Sequence, residues 1–208
     1  MQIETLFGAV ANFGATWILW ALLGASVCGL AIAVERAVCF WTTRDDIESL
    51  SDEVCRAFEA KNWQRAQKLL SESPSFEARV AAAAIGHTDP QSADQLMLGA
   101  TQSVRLELER YLPVLGTLGS NAPFVGLLGT VIGIIGAFRQ LDQSRGAWTD
   151  GLMREIGEAL IATAMGLLVA LPAIAAFNAF RSLAHVRLGR ADVLRRRVLG
   201  QLHASKVG

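Results

Sequence analysis

The sequence has no basic residue before Arg36, and residues 5–34 and 111–138 contain no Asp, Glu, Lys or Arg at all. The first absence argues against a cleaved secretory signal, which needs a basic start ahead of a shorter apolar stretch, so the first apolar run is expected to stay attached. The second excludes an ordinary soluble domain, whose charges are spread along its helices rather than confined to blocks. Cysteine is scarce: Cys28, Cys39 and Cys55 form an odd set with no metal-ligand spacing, and no disulfide is expected. The three histidines, His87, His185 and His203, fall outside the apolar runs and lack partners at ligand spacing. No Ser/His or Asp/Asp pair lies within the runs, which leaves an intramembrane enzyme without its parts. No catalytic residue, cofactor, metal or nucleic-acid partner is expected.

What is there is apolar surface. Hydrophobic residues make up 52% of the 208 positions. Three runs, residues 5–34, 111–138 and 156–180, each exceed the roughly 20 residues that cross a bilayer core of about 30 Å. These predict an all-α membrane protein with three transmembrane helices and a cytoplasmic helical bundle. The expected division is residues 1–40 for a leader and first span, 41–110 for the helical bundle, 111–180 for the second and third spans with a short periplasmic loop, and 181–208 for a basic cytoplasmic helix. Orientation follows the basic residues, which cytoplasmic flanks retain. The tail after Phe180 carries Arg181, Arg187, Arg190, Arg195, Arg196, Arg197 and Lys206 against Asp192 alone, so the C-terminus is placed in the cytoplasm and the N-terminus outside. The run Arg195-Arg196-Arg197 then serves as a topology and lipid-headgroup signal.

Within the cytoplasmic block, apolar spacing predicts helices over residues 45–60 and 63–70, with Asn62 as an N-cap and breaks at Ser73-Pro74 and Asp89-Pro90. From Gln91 the helical pattern (Leu96, Val104, Leu108, Leu112) runs on into the second span, which predicts one long helix projecting below the membrane.

The spans hold three further signals. Glu158 is the one carboxylate inside the third run, and a lone carboxylate at membrane depth is costly enough to suggest a proton or ion as its reason. An interfacial carboxylate near the outer end is the alternative. Gly126, Gly129, Gly133 and Gly136 recur at steps of three and four, so they share a helix face that lets another helix approach, and Ala159, Thr163, Gly166, Ala170 and Ala173 make a similar face on the third span. Thr130 and Thr163, counted from the ends of their antiparallel spans, fall at one level. Glu158 and Thr163 are about 140° apart around their helix, so Glu158 faces either a pore or a helix seam beside it. Pro123 and Pro172 are expected as kinks tolerated in a packed bundle.

The run LERYLPVLGTLGSNAPFVGLLGTVIGIIGAF, followed by IGEALIATAMGLLVALPAIAAFN, closely resembles the signature of the MotA/TolQ/ExbB proton-channel family. The resemblance is strong over residues 108–178 and is supported by VERAVCF after the first span. It implies that Glu158, Thr130 and Thr163 line or neighbour a central proton pathway. It also implies a homopentamer in the bacterial inner membrane, enclosing the single-span helices of an ExbD/TolR-like partner dimer whose transmembrane Asp takes the proton. Proton flow would then do mechanical work across the envelope, in TolQ-like envelope maintenance, ExbB-like uptake or gliding motility. There is no room for the fourth span of flagellar stator relatives, and the short leader is more like TolQ. Gly157 stands where many relatives carry Ala, which loosens the helix beside the carboxylate. The alternative function is a non-conducting membrane scaffold, in which Glu158 is dispensable.

Overall fold

The structure, a computed structural model, describes residues 16–43, 46–60, 62–87, 89–144 and 149–207. The described residues form seven helices and no strand: α1 (Thr16–Thr42), α2 (Ile47–Glu59), α3 (Trp63–Glu72), α4 (Phe76–Ala82), α5 (Pro90–Leu108), α6 (Leu112–Gln143) and α7 (Asp150–Val207). Three helical stretches, Thr16–Thr42, Pro90–Gln143 and Asp150–Ala204, are long and apolar enough to cross a membrane. Their outward side chains support this, since Trp20, Phe124, Phe138 and Leu171 are each 67–69% exposed and would face water at high cost unless hydrocarbon covers them.

The chain divides into two compact units. The first comprises Met1–Val34 and Tyr111–Asn178, hence the apolar parts of α1, α6 and α7. Its small core is built from Ile18 and Leu22 of α1, Ala122 and Ile132 of α6, and Val169 and Ala170 of α7. Residues 5–15 of the expected first span lie outside the described residues. The helix that follows them does not stop at Val34 but continues through Arg36 to Thr42. The expected loop over residues 139–155 is also shorter, because α6 carries on to Gln143 and α7 starts at Asp150.

The second unit comprises Glu35–Arg110 and Ala179–Gly208. Its helices start where short polar side chains satisfy free backbone N–H groups. Asn62 accepts from Arg65 N, Ser75 from Ala78 N, and Asp89 from Ser92 N with Pro90 at the head of α5, where its missing N–H costs nothing. Asp89-Pro90 thus begins a helix as well as ending the preceding segment. The core gathers Val54, Ala66, Phe76, Met97, Leu108 and Leu194, with the Phe40 and Phe180 rings stacked at 5.7 Å.

Two expectations need correction. The pattern from Gln91 does not continue as one helix: α5 ends at Leu108, and Tyr111 adopts a left-handed conformation at φ 63° before α6 begins. The break coincides with Pro113 in the first turn of α6, which has no N–H to donate to the Glu109 carbonyl; Pro123 and Pro172, by contrast, are carried inside their helices, so it is the left-handed turn at Tyr111 that ends the run. The Arg195-Arg196-Arg197 run is not a free lipid-facing cluster either. Arg195 bonds Asp94 and Asp192, Arg196 bonds Asp192 at 2.8 Å, and Arg197 bonds Asp52 at 2.8 Å and Ser51 at 3.0 Å. The charges neutralise one another across helix surfaces instead.

Candidate functional site

α6 and α7 run antiparallel and touch through backbone. A methyl added at Gly126 would meet the Ala162 carbonyl at 2.7 Å and the Thr163 and Gly166 Cα atoms at 3.1 Å. At Gly166 it would meet the Ala122 carbonyl at 2.6 Å, at Gly129 the Ala162 methyl at 2.5 Å, and at Gly133 the Ala159 methyl at 2.6 Å. The spacing of three and four puts these glycines on one stripe, and the absent side chains let the two main chains close together. The stripe is filled by the same chain, so these contacts are intramolecular rather than left open for a neighbour.

Gly136 is used differently. The Glu155 carboxylate occupies the place its side chain would take, and Glu155 Oε1 accepts a hydrogen bond from Gln140 Nε2 at 2.9 Å. The sequence had placed Glu155 in a charged loop. The available signal was its spacing, four residues before Ala159 and seven before Ala162, which puts it on the face of α7 that meets the α6 glycines.

Glu158 lies eight residues from the start of α7, about 12 Å at ~1.5 Å per residue. Its Oε2 accepts a hydrogen bond from Thr16 Oγ1 of α1 at 3.2 Å, and its Oε1 is 4.0 Å from Arg154 Nε one turn back. Its side chain is 34% exposed, so it is neither sealed in nor fully free. Thr163 turns the other way, donating through Oγ1 to the Gly126 carbonyl of α6 at 3.2 Å. The 140° between the two residues is realised as two walls: Glu158 addresses α1 and Thr163 addresses α6. Thr130 Oγ1 donates to the Leu127 carbonyl of its own helix at 2.7 Å. Because Gly129 faces Ala162 and the helices are antiparallel, Thr130 and Thr163 stand about two residues apart in level, ~3 Å, and their hydroxyls bond different carbonyls. Thr16 was not singled out in the sequence, since an isolated hydroxyl at a helix start carries no spacing signal.

An apolar antiparallel pair with touching backbones, a third helix supplying a hydroxyl, and one carboxylate within the apolar run can bind and release a proton beside a rigid wall. The profile of the MotA/TolQ/ExbB proton channel family matches residues 67–192. The chain belongs to this family. Its likeness to the ExbB biopolymer transport protein of Xanthomonas campestris is 32% identity over 204 residues, covering 86% of this chain and 78% of that one. It is 41% identical over 104 residues to the TolQ protein of the Tol-Pal system of Pseudomonas aeruginosa, covering 47% of this chain and 45% of that one. A putative ExbB-like biopolymer transport protein of Helicobacter pylori is 39% identical over 102 residues, covering 49% and 68%. This MotA/TolQ/ExbB member is therefore a multi-pass membrane protein and a proton-channel subunit of an energy-transducing system.

Proposed function

We propose that this chain forms a homopentameric ring in the bacterial inner membrane around the single transmembrane helices of an ExbD/TolR-like partner dimer, and that proton flow through the assembly drives mechanical work across the envelope. The observation that carries the proposal is Glu158. It is the one carboxylate in the apolar run of α7, partly exposed and held by a hydroxyl from another helix. A charge kept at that depth is costly, and a titratable group is what justifies it. Thr163 and Thr130 border the same seam and supply hydroxyls to the pathway. The seam glycines Gly126, Gly129, Gly133 and Gly166 keep α6 and α7 together as one wall, and Gly136 accommodates Glu155. The N-terminus is periplasmic and the basic C-terminus cytoplasmic.

One carboxylate per subunit cannot relay protons across about 30 Å of hydrocarbon, so a second must come from the partner's transmembrane Asp. Liposomes holding this chain alone are expected to stay proton-tight under an imposed potential, as read by a trapped pH-sensitive dye. Flux appears on adding the partner and disappears with Glu158→Gln, while native mass spectrometry still shows the assembled pentamer. Undiminished flux in Glu158→Gln assigns the pathway elsewhere. Full biological activity without flux moves the function to a scaffold.

A further inference from the structure

Unit two contains an ion pair that the proton chemistry does not use. Glu77, in the first turn of α4, is fully buried at 0% exposure, and Arg187 of α7 is 7% exposed. Arg187 Nη1 donates to both Glu77 oxygens at 3.3 Å and to the Thr43 carbonyl at 3.2 Å, while Nη2 donates to the Phe40 carbonyl at 3.4 Å. The last two acceptors belong to the end of α1, where carbonyls have lost their helical partners and carry the negative end of the helix dipole. One guanidinium therefore engages three elements at once: the end of α1, the start of α4, and α7.

Stability alone does not explain such a choice. Removing two charges from water is costly, and well-packed apolar residues of similar volume commonly serve as well or better. What an apolar pair cannot supply is direction. Methyl and thioether groups pack at many relative rotations, whereas a planar guanidinium holding a carboxylate on one side and two carbonyls on the other is satisfied in one arrangement. Sliding or rotating α7 against α1 by a fraction of a turn would leave a buried charge or a carbonyl without a partner.

We propose that Arg187 and Glu77 form a register lock, a device that fixes the rotation and height of α7 against the end of α1 and against α4 within this unit. Lysine at 187 lacks the fork needed to reach all three elements, and exchanging the two residues would give an acid unable to donate to Phe40 and Thr43. The lock is independent of the proton pathway and stands whether or not Glu158 titrates.

The test uses the full chain in nanodiscs with Cys28, Cys39 and Cys55 replaced by Ser, the labelled chain being assembled with a large excess of the unlabelled cysteine-free chain so that only distances within one chain are read. Spin labels are placed through Trp41→Cys on α1 and Val193→Cys on α7, positions 77% and 55% exposed. Pulsed dipolar spectroscopy is expected to give a single narrow distance distribution in this background. The double variant Glu77→Met with Arg187→Met keeps an apolar, volume-matched core but leaves the Phe40 and Thr43 carbonyls without the guanidinium, so it should fold with a lower melting temperature while its distance distribution broadens at least twofold or splits. The exchange variant Glu77→Arg with Arg187→Glu should fail to restore the narrow distribution. A double-Met protein with the parent's narrow distribution overturns the lock, because apolar packing would then suffice. An exchange variant that restores it also overturns the directional role, because charge pairing alone would be enough.

Discussion

Substituting Gly126 by Ala isolates a close backbone contact in the α6–α7 seam. The new methyl would lie 2.7 Å from the Ala162 carbonyl and 3.1 Å from two Cα atoms, all main chain, so no flexible side chain can swing away. The helices must separate, and an inserted methyl group in a close-packed site costs about 1–3 kcal/mol. Separation also stretches the Thr163 bond to the Gly126 carbonyl, worth about 0.5–1.5 kcal/mol. Against this, Ala is favoured over Gly inside a helix by about 1 kcal/mol. The sum is a net loss of about 0.5–3.5 kcal/mol. Gly157 is the control: nothing lies within 4 Å of a methyl added there, so Gly157→Ala should be neutral or stabilise by up to about 1 kcal/mol. Denaturation by SDS in mixed micelles, followed by tryptophan fluorescence, measures both. If Gly126→Ala proves as stable as Gly157→Ala, the two main chains are not in contact and the account of the seam is wrong.

Three further outcomes are expected. Thr16→Val removes the hydroxyl that bonds Glu158, and with the partner present it should slow proton flux in liposomes several-fold without abolishing it; unchanged flux would show that the α1 hydroxyl does not touch the pathway. Tyr111→Gly relieves a left-handed conformation that costs an L-residue about 1–2 kcal/mol, so it should be more stable than Tyr111→Ala, which loses the same side chain but keeps the strain, and the β-branched Tyr111→Val should be less stable than either, all read by the same SDS titration. Burial pushes the Cys55 thiol above its ordinary value, with Asp52 and Glu59 adding to the effect. The reactive thiolate is therefore scarcer at pH 8 in the folded protein than in the denatured one, and iodoacetamide labelling followed by mass spectrometry should be slower in the native state and level off at a higher pH than in the denatured state.

The spans and the small-residue stripe were legible because their signals are local. An uncharged run of more than 20 residues has few alternatives, and glycines at steps of three and four fall on one face whatever else the chain does. The cap at Asn62 was equally plain, since it acts on an N–H three residues away, whereas Asp89-Pro90 was read only as a break although Asp89 also caps the helix that follows. The break at Tyr111 was missed because hydrophobic periodicity continued across it, and a proline alone does not mark a break in a chain whose helices also run through Pro123 and Pro172. The Glu77–Arg187 pair had no signal of its own, with 110 residues between the partners. The same holds for Thr16 with Glu158, 142 residues apart. Charge counting assigned Arg195, Arg196 and Arg197 to the lipid surface because it sees the run but not Asp52 and Asp94, which folding brings to it.

The α6–α7 seam also contains a reciprocal pair of weak donors. The hydrogen that Gly126 carries in place of a side chain points at the Ala162 carbonyl, and the one on Gly166 points at the Ala122 carbonyl. Each helix thus offers a Cα–H and receives one, through residues four apart on both partners. Such contacts are worth about 0.5–1 kcal/mol each. In hydrocarbon there is no water to compete for the carbonyls, so this exchange persists where an apolar surface alone gives helices no reason to prefer each other over lipid. It is also indexed: shifting α7 by one residue turns both C–H bonds away from their acceptors together, so the wall beside Glu158 has a preferred vertical setting built from main-chain atoms alone.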